Sequence, residues 1–104
     1  MKFIMKVRFP VEQGNEEVTS PQFGKKMQEL LGEIKAEAAY FTTISGQRGA
    51  YIVVNLNDAS EIPAIAEPFF LWVNADIDWI PVMTPEDLGK AGPSIGAAAA
   101  KWRK

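Results

Sequence analysis

The chain has 104 residues, of which 47% are hydrophobic and 23% are charged, and its formal net charge at pH 7 is −2. These values are typical of a single soluble domain, and no block of basic residues indicates a nucleic-acid partner. The chain has neither cysteine nor histidine, which excludes disulfides and thiolate nucleophiles and removes the usual transition-metal ligands, so we expect no metal and no cofactor.

The first residues predict a strand and not a targeting segment. Residues 2–9 alternate apolar with mostly charged side chains, a period of two that is typical of a strand with one buried face. Lys6 and Arg8 interrupt the apolar stretch that a signal peptide needs. No segment has the roughly 18 apolar residues of a membrane span. We therefore expect a cytoplasmic protein with no membrane partner.

A polar segment and a helix follow this strand. Residues 11–19 are polar and acidic and contain Gly14-Asn15, which predicts a turn. Ser20-Pro21 predicts the start of a helix, and an apolar stripe at helical spacing runs through residues 21–38. Gly32 weakens this helix, and a close approach of the helix to a sheet would explain it.

Two strands and a turn come next. Residues 40–45 are rich in aromatic and β-branched side chains, and residues 51–54 are the most apolar, so we expect the second strand to be central. The turn between them is predicted at Gly46-Gln47-Arg48-Gly49. Its glycines could bring the backbone and Arg48 close to a phosphate, although a hairpin turn that needs positive φ explains them more simply.

The second half of the chain predicts a helix, a strand and a helical end. Residues 58–61 resemble a capping box, and Pro68 predicts a kink or a restart of the helix that follows. Residues 75–83 predict the fourth strand, with Ile77 and Trp79 on its buried face.

Two further helices are predicted at the C-terminal end. Residues 84–87 predict a helix start, Gly92-Pro93 a stop, and Ser94 the cap of a last helix with an apolar stripe. Residues 101–104 are mostly basic. They form either a small contact patch or a set of cations that interact favourably with the negative end of the helix dipole.

The element order βαββαβ predicts an α+β, ferredoxin-like fold in which helices cover one face of a four-stranded antiparallel sheet. We expect one domain over residues 1–104, with a core at 1–83 and a C-terminal helical extension at 84–104. In this topology the first and fourth strands are antiparallel neighbours. The other face of the sheet has no helix to cover it.

Three segments resemble the dimeric α+β barrel superfamily: Met1-Lys2-Phe3, the strand–turn–strand around residues 46–54, and residues 69–82. The chain is most similar to a branch of small bacterial proteins of unknown function whose last strand ends in a similar x-x-Pro-Val segment. This resemblance implies a homodimer whose two sheets face one another and enclose a space. The superfamily includes cofactor-free monooxygenases, muconolactone-type isomerases and haem-handling proteins, the last of which rely on a His that this chain lacks. No catalytic residue is carried over.

The predicted topology brings charged side chains together on the uncovered face. Lys6 and Arg8 alternate with the buried residues of the first strand. Asp76 and Asp78 do the same in the fourth strand. One interpretation is a charged cleft in which Arg8 binds an anion and an Asp acts as a general base. The simpler interpretation is a set of cross-strand ion pairs.

Tyr51 and Asn55 alternate with the apolar residues of the third strand and are predicted on the same face. Tyr51 could donate a proton to a ligand, or it could lie in a dimer interface, where an apolar ring with a polar tip is favoured. The aromatic residues at Phe69-Phe70, Trp72 and Trp79 could contact a flat ligand, but their spacing is more typical of a core.

These observations leave three classes of function open. The first is a small homodimer that pairs through the open sheet face and binds a hydrophobic or aromatic metabolite, or fills the space between its sheets with side chains. The second is a cofactor-independent isomerase or monooxygenase for a small aromatic or lactone-type substrate. A module that binds another partner through its sheet face is a third possibility.

Overall fold

The computed structural model, which describes residues 1–104, contains four strands: β1 (Lys2–Arg8), β2 (Ala38–Ile44), β3 (Gln47–Asn55) and β4 (Asp76–Pro81). They form one antiparallel sheet in the order β2-β3-β1-β4. The predicted pairing of the first and last strands is confirmed, with Lys6 opposite Asp78 and Arg8 opposite Asp76. The apolar third strand is central, as its composition indicated.

Five helices accompany the sheet: α1 (Val11–Val18), α2 (Phe23–Glu33), α3 (Ile62–Val73), α4 (Pro85–Lys90) and α5 (Gly92–Trp102). A short 3-10 turn at Ala59–Glu61 leads into α3. Two predicted capping boxes are present, one between Asp58 and Glu61 and one between Thr84 and Asp87. The α+β class and the four antiparallel strands are therefore confirmed. None of the helices combines the length and the apolar character needed to cross a membrane.

The hydrophobic core lies between one face of the sheet and the helices. Alternate residues of β1 and β3 are fully buried, and they meet the buried faces of α2 and α3. The side chains with almost no exposed surface are Met5, Val7, Ile52, Val54, Phe69 and Val73. No polar or charged side chain is buried with them. The alternation in the sequence thus identifies the buried face correctly.

The predicted turn at residues 11–19 is wrong, because this segment is the helix α1. Its Gly14 is buried, and a Cβ there would lie 3.1 Å from Nη1 of Arg48. At the far end of α1, Glu17 accepts a hydrogen bond from Nε1 of Trp72 at 2.9 Å. Gly14 therefore packs closely against Arg48 and does not break the helix. Both contacts come from distant parts of the chain, which local sequence patterns do not reveal.

The hairpin turn also differs from the prediction. It consists of Ser45 and Gly46, which both have positive φ, and β3 already begins at Gln47. Two positive φ values match the tight turns that suit the twist of a hairpin. Gly49 lies within β3 for a steric reason: a Cβ there would lie 2.6 Å from Cδ1 of Ile44 and 2.7 Å from the carbonyl oxygen of Val7.

Three helix predictions need correction. Helix α3 continues through Pro68 without a restart, because its neighbours Ile65 and Phe69 are buried in the core and hold the helix in place. Ser94 lies inside α5 and does not cap it, since the helix already begins at Gly92. Nothing lies within 4 Å of a Cβ placed on Gly32, so close packing does not explain that glycine.

The predicted bounds of the helix at residues 21–38 are also too wide. The helix α2 ends at Glu33, and Lys35 adopts a positive φ of 53° before β2 begins. The apolar residues beyond this point continue the hydrophobic pattern, but they belong to the connection and to the strand.

Residues 84–104, named here the C-terminal arm, extend away from the sheet. Helices α4 and α5 pack chiefly against each other, and every residue of α5 is exposed. The molecule measures 58 × 28 × 21 Å with a radius of gyration of 17.5 Å. A compact domain of this length would have a radius of about 13 Å. The arm therefore leaves its apolar residues without a partner in this chain.

Candidate functional site

The candidate site lies on the open face, defined as the face of the sheet that points away from the core. The strand register arranges its side chains in rows that cross the strands. One row is apolar, with Ile4 between Val53 and Ile80 and with Ala38 at the edge. Ile80 remains 39% exposed. This apolar row is a surface that water contacts directly in a single chain.

The next row is polar and aromatic. Lys6 lies between Tyr51 of β3 and Asp78 of β4, and Tyr40 of β2 lies beyond Tyr51. Tyr40 is 67% exposed. Along a strand this row is about 7 Å from the apolar row, because alternate residues share a face. A small molecule could thus touch both rows at once.

The third row contains an ion pair. Nε of Arg8 donates to Oδ1 of Asp76 at 2.7 Å, and Nη2 of Arg8 lies 4.0 Å from Oδ2 of Asp78. The hydrogen bond with Asp76 and the negative charge of this carboxylate raise the pKa of Arg8. The interpretation as cross-strand ion pairs therefore describes Arg8 well.

Lys6 differs from Arg8 because it has no ionic partner. It forms no ion pair and no side-chain hydrogen bond, although Asp78 lies opposite it in the register. The carboxylate of Asp78 approaches Arg8 instead. The side chains of both aspartates are more than half exposed, so water as well as Arg8 stabilises their negative charge. Lys6 is thus the free cation of the open face.

Asn55 lies apart from the other five predicted residues. It is opposite Lys2, four residues along β3 from Tyr51, which corresponds to about 13 Å. Its Nδ2 donates to Glu37 at 3.3 Å, and Nζ of Lys2 contacts the same carboxylate at 2.6 Å. The hydrogen bonds from Lys2 and Asn55 lower the pKa of Glu37. Alternation placed Asn55 on the correct face but not in the cluster.

The aromatic residues serve mainly as packing. Phe69 is in the core, and Trp79 packs edge-to-face on Phe3 with ring centres 5.6 Å apart. Trp72 lies 5.5 Å from the ring of Phe23 and 5.0 Å from Nζ of Lys26. These contacts support the interpretation as core for Phe69, Trp72 and Trp79, whereas Phe70 is 39% exposed and does not belong to the core.

Sequence patterns missed a groove on the outer surface of the helices. It lies between α2 and α3 and encloses about 400 Å³. Its lining consists of Leu30, Pro68, Leu71 and Trp72 together with the charged residues Glu29, Glu33 and Lys26. The available signal was Leu71, an apolar residue of α3 outside the stripe that faces the core, which is 79% exposed.

No group of three or more acidic side chains is placed so that it could hold a metal ion. On the open face, the two aspartates are engaged by Arg8. The chemistry that the face offers is therefore binding through one free ammonium, two phenol hydroxyls and an apolar row.

Comparison with protein families identifies one match. The model of the family described as Domain of unknown function (DUF3303) matches residues 1–96, so the chain belongs to this family. No curated protein matches the chain.

Proposed function

Starting from this family membership, we propose that two copies of the chain pair through the open face and bind a small organic acid with an apolar or aromatic body between their sheets. The strand order β2-β3-β1-β4 and the βαββαβ arrangement of the main elements support a ferredoxin-like fold, to which the arm is added. In the dimeric α+β barrel, two such sheets face one another.

The partly exposed apolar row supports pairing. Ile4, Val53 and Ile80 lie side by side across three strands, and the exposed ring of Tyr40 extends the surface at the edge. Contiguous apolar surface of this kind marks interaction sites in proteins. A second sheet would remove it from water on both chains.

The single observation that carries the ligand class is the unpaired ammonium of Lys6. Arg8 already holds the nearby carboxylates, so Lys6 can bind the acid group of a ligand without breaking an existing ion pair. The hydroxyl of Tyr51 lies in the same row and can donate to the same group. The apolar row then contacts the body of the ligand.

Light scattering after size exclusion tests the pairing. We expect twice the monomer mass of 11.5 kDa at micromolar concentration. Ile80→Asp should disrupt this pairing, because it places a charge in the apolar row. Val18→Asp is the matched control, since Val18 is a similarly exposed apolar residue on α1. A monomeric wild type would refute the pairing.

Thermal unfolding with a panel of aromatic and short-chain acids tests the ligand. A molecule that binds only the folded protein raises Tm. Lys6→Met should abolish this increase, whereas Lys25→Met, which changes an exposed lysine of α2, should retain it. If no acid raises Tm, or if the increase survives Lys6→Met, the proposed ligand site is wrong.

A further inference from the structure

The C-terminal arm has an apolar stripe that nothing in its own chain covers. Ile95, Ala99 and Trp102 follow one another at spacings of four and three residues, so they lie on one side of α5. Ile95 is 54% exposed and Trp102 is 73% exposed. The alanines between them are small and allow another helix to approach closely. The stripe is thus suited to seat in a groove between helices.

Charge distinguishes the arm from the body. Residues 1–83 contain seven basic and eleven acidic side chains, a net charge of −4. The C-terminal arm, residues 84–104, contains four basic and two acidic side chains, a net charge of +2, and the charged side chains of α5 and of the residues after it are all basic. Opposite charges steer and orient association, so the positive arm is attracted to the negative body of this protein.

The groove between α2 and α3 is complementary to the arm in its apolar lining and in its net charge. Its apolar lining includes the exposed Leu71 and the half-buried Trp72, and its charged lining is Glu29, Glu33 and Lys26, a net charge of −1. An apolar helix face with basic residues at its end matches an apolar lining beside carboxylates. Its volume of about 400 Å³ provides room for large side chains such as those of Ile95 and Trp102.

The course of the chain favours a groove on another copy. The backbone of Val82 donates to Lys2 at the end of the sheet, and the capping box at Thr84 starts α4 two residues later. Only Met83 lies between these two anchors, so no free segment is available to turn the arm back over its own helices. The arm instead leaves the body and lengthens the molecule to 58 Å.

We propose that the C-terminal arm of one chain seats the Ile95–Trp102 side of α5 in the α2–α3 groove of a second copy. The family match includes α4 and α5 as far as residue 96, so Ile95 lies within it and Ala99 and Trp102 lie beyond it. This proposal does not rest on pairing through the open face.

The absence of native cysteine allows a direct test. One chain carries Ala99→Cys and a second carries Leu71→Cys, and the two are mixed and treated with a short bismaleimide cross-linker. We expect a covalent pair of one chain of each kind, and less of it at high salt, because screening weakens the attraction between arm and groove. Adding Trp102→Asp to the Ala99→Cys chain should abolish the product.

Matched pairs decide between this groove and other positions. The Ala99→Cys chain mixed with Thr43→Cys should give only background cross-linking, since Thr43 is an exposed residue of the edge strand β2 and does not line the groove. Equal cross-linking to Thr43→Cys, or stronger cross-linking to Tyr40→Cys on the open face, would overturn the proposal. A double variant with both cysteines that cross-links within one chain on dilution would overturn the choice of a second copy.

The two proposals fail separately. If Ile80→Asp remains a dimer in a chain that also carries Trp102→Asp, which removes the arm contact, pairing through the open face is wrong. If light scattering confirms the dimer while positions 71 and 99 do not cross-link, the arm proposal is wrong.

Discussion

Arg8 and Asp76 are directly opposite each other in the β1–β4 pair, and their side chains are joined by a hydrogen bond of 2.7 Å between Nε and Oδ1. Asp78, one row away, also turns toward Arg8. Two carboxylates therefore share one guanidinium, and this arrangement leaves Lys6 without a partner.

Arg8→Met should cause a small decrease in Tm at low salt, because it leaves two aspartates without their cation. Both aspartates are exposed enough for water to solvate them, so the loss should be small and should shrink in high salt. Unfolding curves of wild type and variant at two salt concentrations measure this, with Lys25→Met as the control. A loss that salt does not change would show that packing of the Arg8 stem matters more than its charge.

Gly49→Ala should destabilise the fold by about 1–3 kcal/mol, as overpacking does in other cores. The new Cβ would meet Ile44 and the backbone oxygen of Val7 below 3.0 Å, and the backbone cannot easily move away within a strand. Gly32→Ala is the matched control. It has free space around it and should stabilise α2 by up to about 1 kcal/mol. Urea unfolding of both variants gives the two values, and a neutral Gly49→Ala would contradict the steric argument.

Stability should fall at acid pH and change little between pH 5.5 and 8. Lys2 lowers the pKa of Glu37, and hydrogen bonds from Ser60 and Thr84 lower the pKa values of Asp58 and Asp87. A carboxyl with a lowered pKa in the folded state stabilises the fold above its unfolded pKa, which is about 4.3 for Glu. That contribution is lost as the pH falls through the folded pKa.

Glu37→Gln provides the check on this pH dependence. The variant should be less stable than wild type near neutral pH, and the difference should disappear as the pH falls through the lowered pKa of the folded Glu37 carboxyl, which is then protonated too. No histidine is present to add a transition near neutrality. A difference in Tm that stays constant from pH 7 to 3 would contradict the role of Lys2.

The purified protein should contain no stoichiometric zinc, iron or copper. Without His and Cys, the available ligands are carboxylates, carbonyls and hydroxyls, which suit hard ions such as Mg²⁺ or Ca²⁺. Elemental analysis of protein purified without a metal-affinity step measures this directly. One equivalent of a transition metal that survives dialysis would contradict the expectation.

Features that depend on local chemistry could be predicted from the sequence, and features that depend on distant contacts could not. The capping boxes at Asp58 and Thr84 are encoded within four residues, and both are present. Helix α1 was missed because its glycine fits beside Arg48, which lies 34 residues away in the sequence. Conversely, Pro68 is tolerated because burial on either side of it stabilises α3.

The candidate site likewise has features that local sequence patterns predict and features that depend on distant contacts. Strand alternation and the topology together placed Lys6 and Arg8 beside Asp76 and Asp78. Alternation fixes the face of a residue but not its position along the strand, which is why Asn55 falls outside the cluster. Whether the aspartates pair with Arg8 or with Lys6 depends on the length and direction of each side chain. Only the structure shows that they pair with Arg8. The α2–α3 groove arises from two helices that are far apart in the sequence, so no local pattern marks it.

Helix α1 should depend on its contact with Trp72. The indole Nε1 donates to Oε2 of Glu17 at 2.9 Å, and Gln13 lies within hydrogen-bond reach of the Trp72 carbonyl at 3.5 Å. Trp72→Phe removes the side-chain bond, keeps an aromatic ring beside Phe23, and should cost about 1 kcal/mol, the usual net value of one hydrogen bond.

Because α1 has only one buried residue, Gly14, it should open locally before the sheet does. In Trp72→Phe, the amide protons of α1 should therefore exchange faster than they do in wild type, whereas those of β1 and β3 should exchange at the wild-type rate. Glu17→Gln, which keeps an acceptor oxygen, should have a smaller effect, and equal acceleration of α1 and the sheet in Trp72→Phe would show that the bond stabilises the whole fold instead.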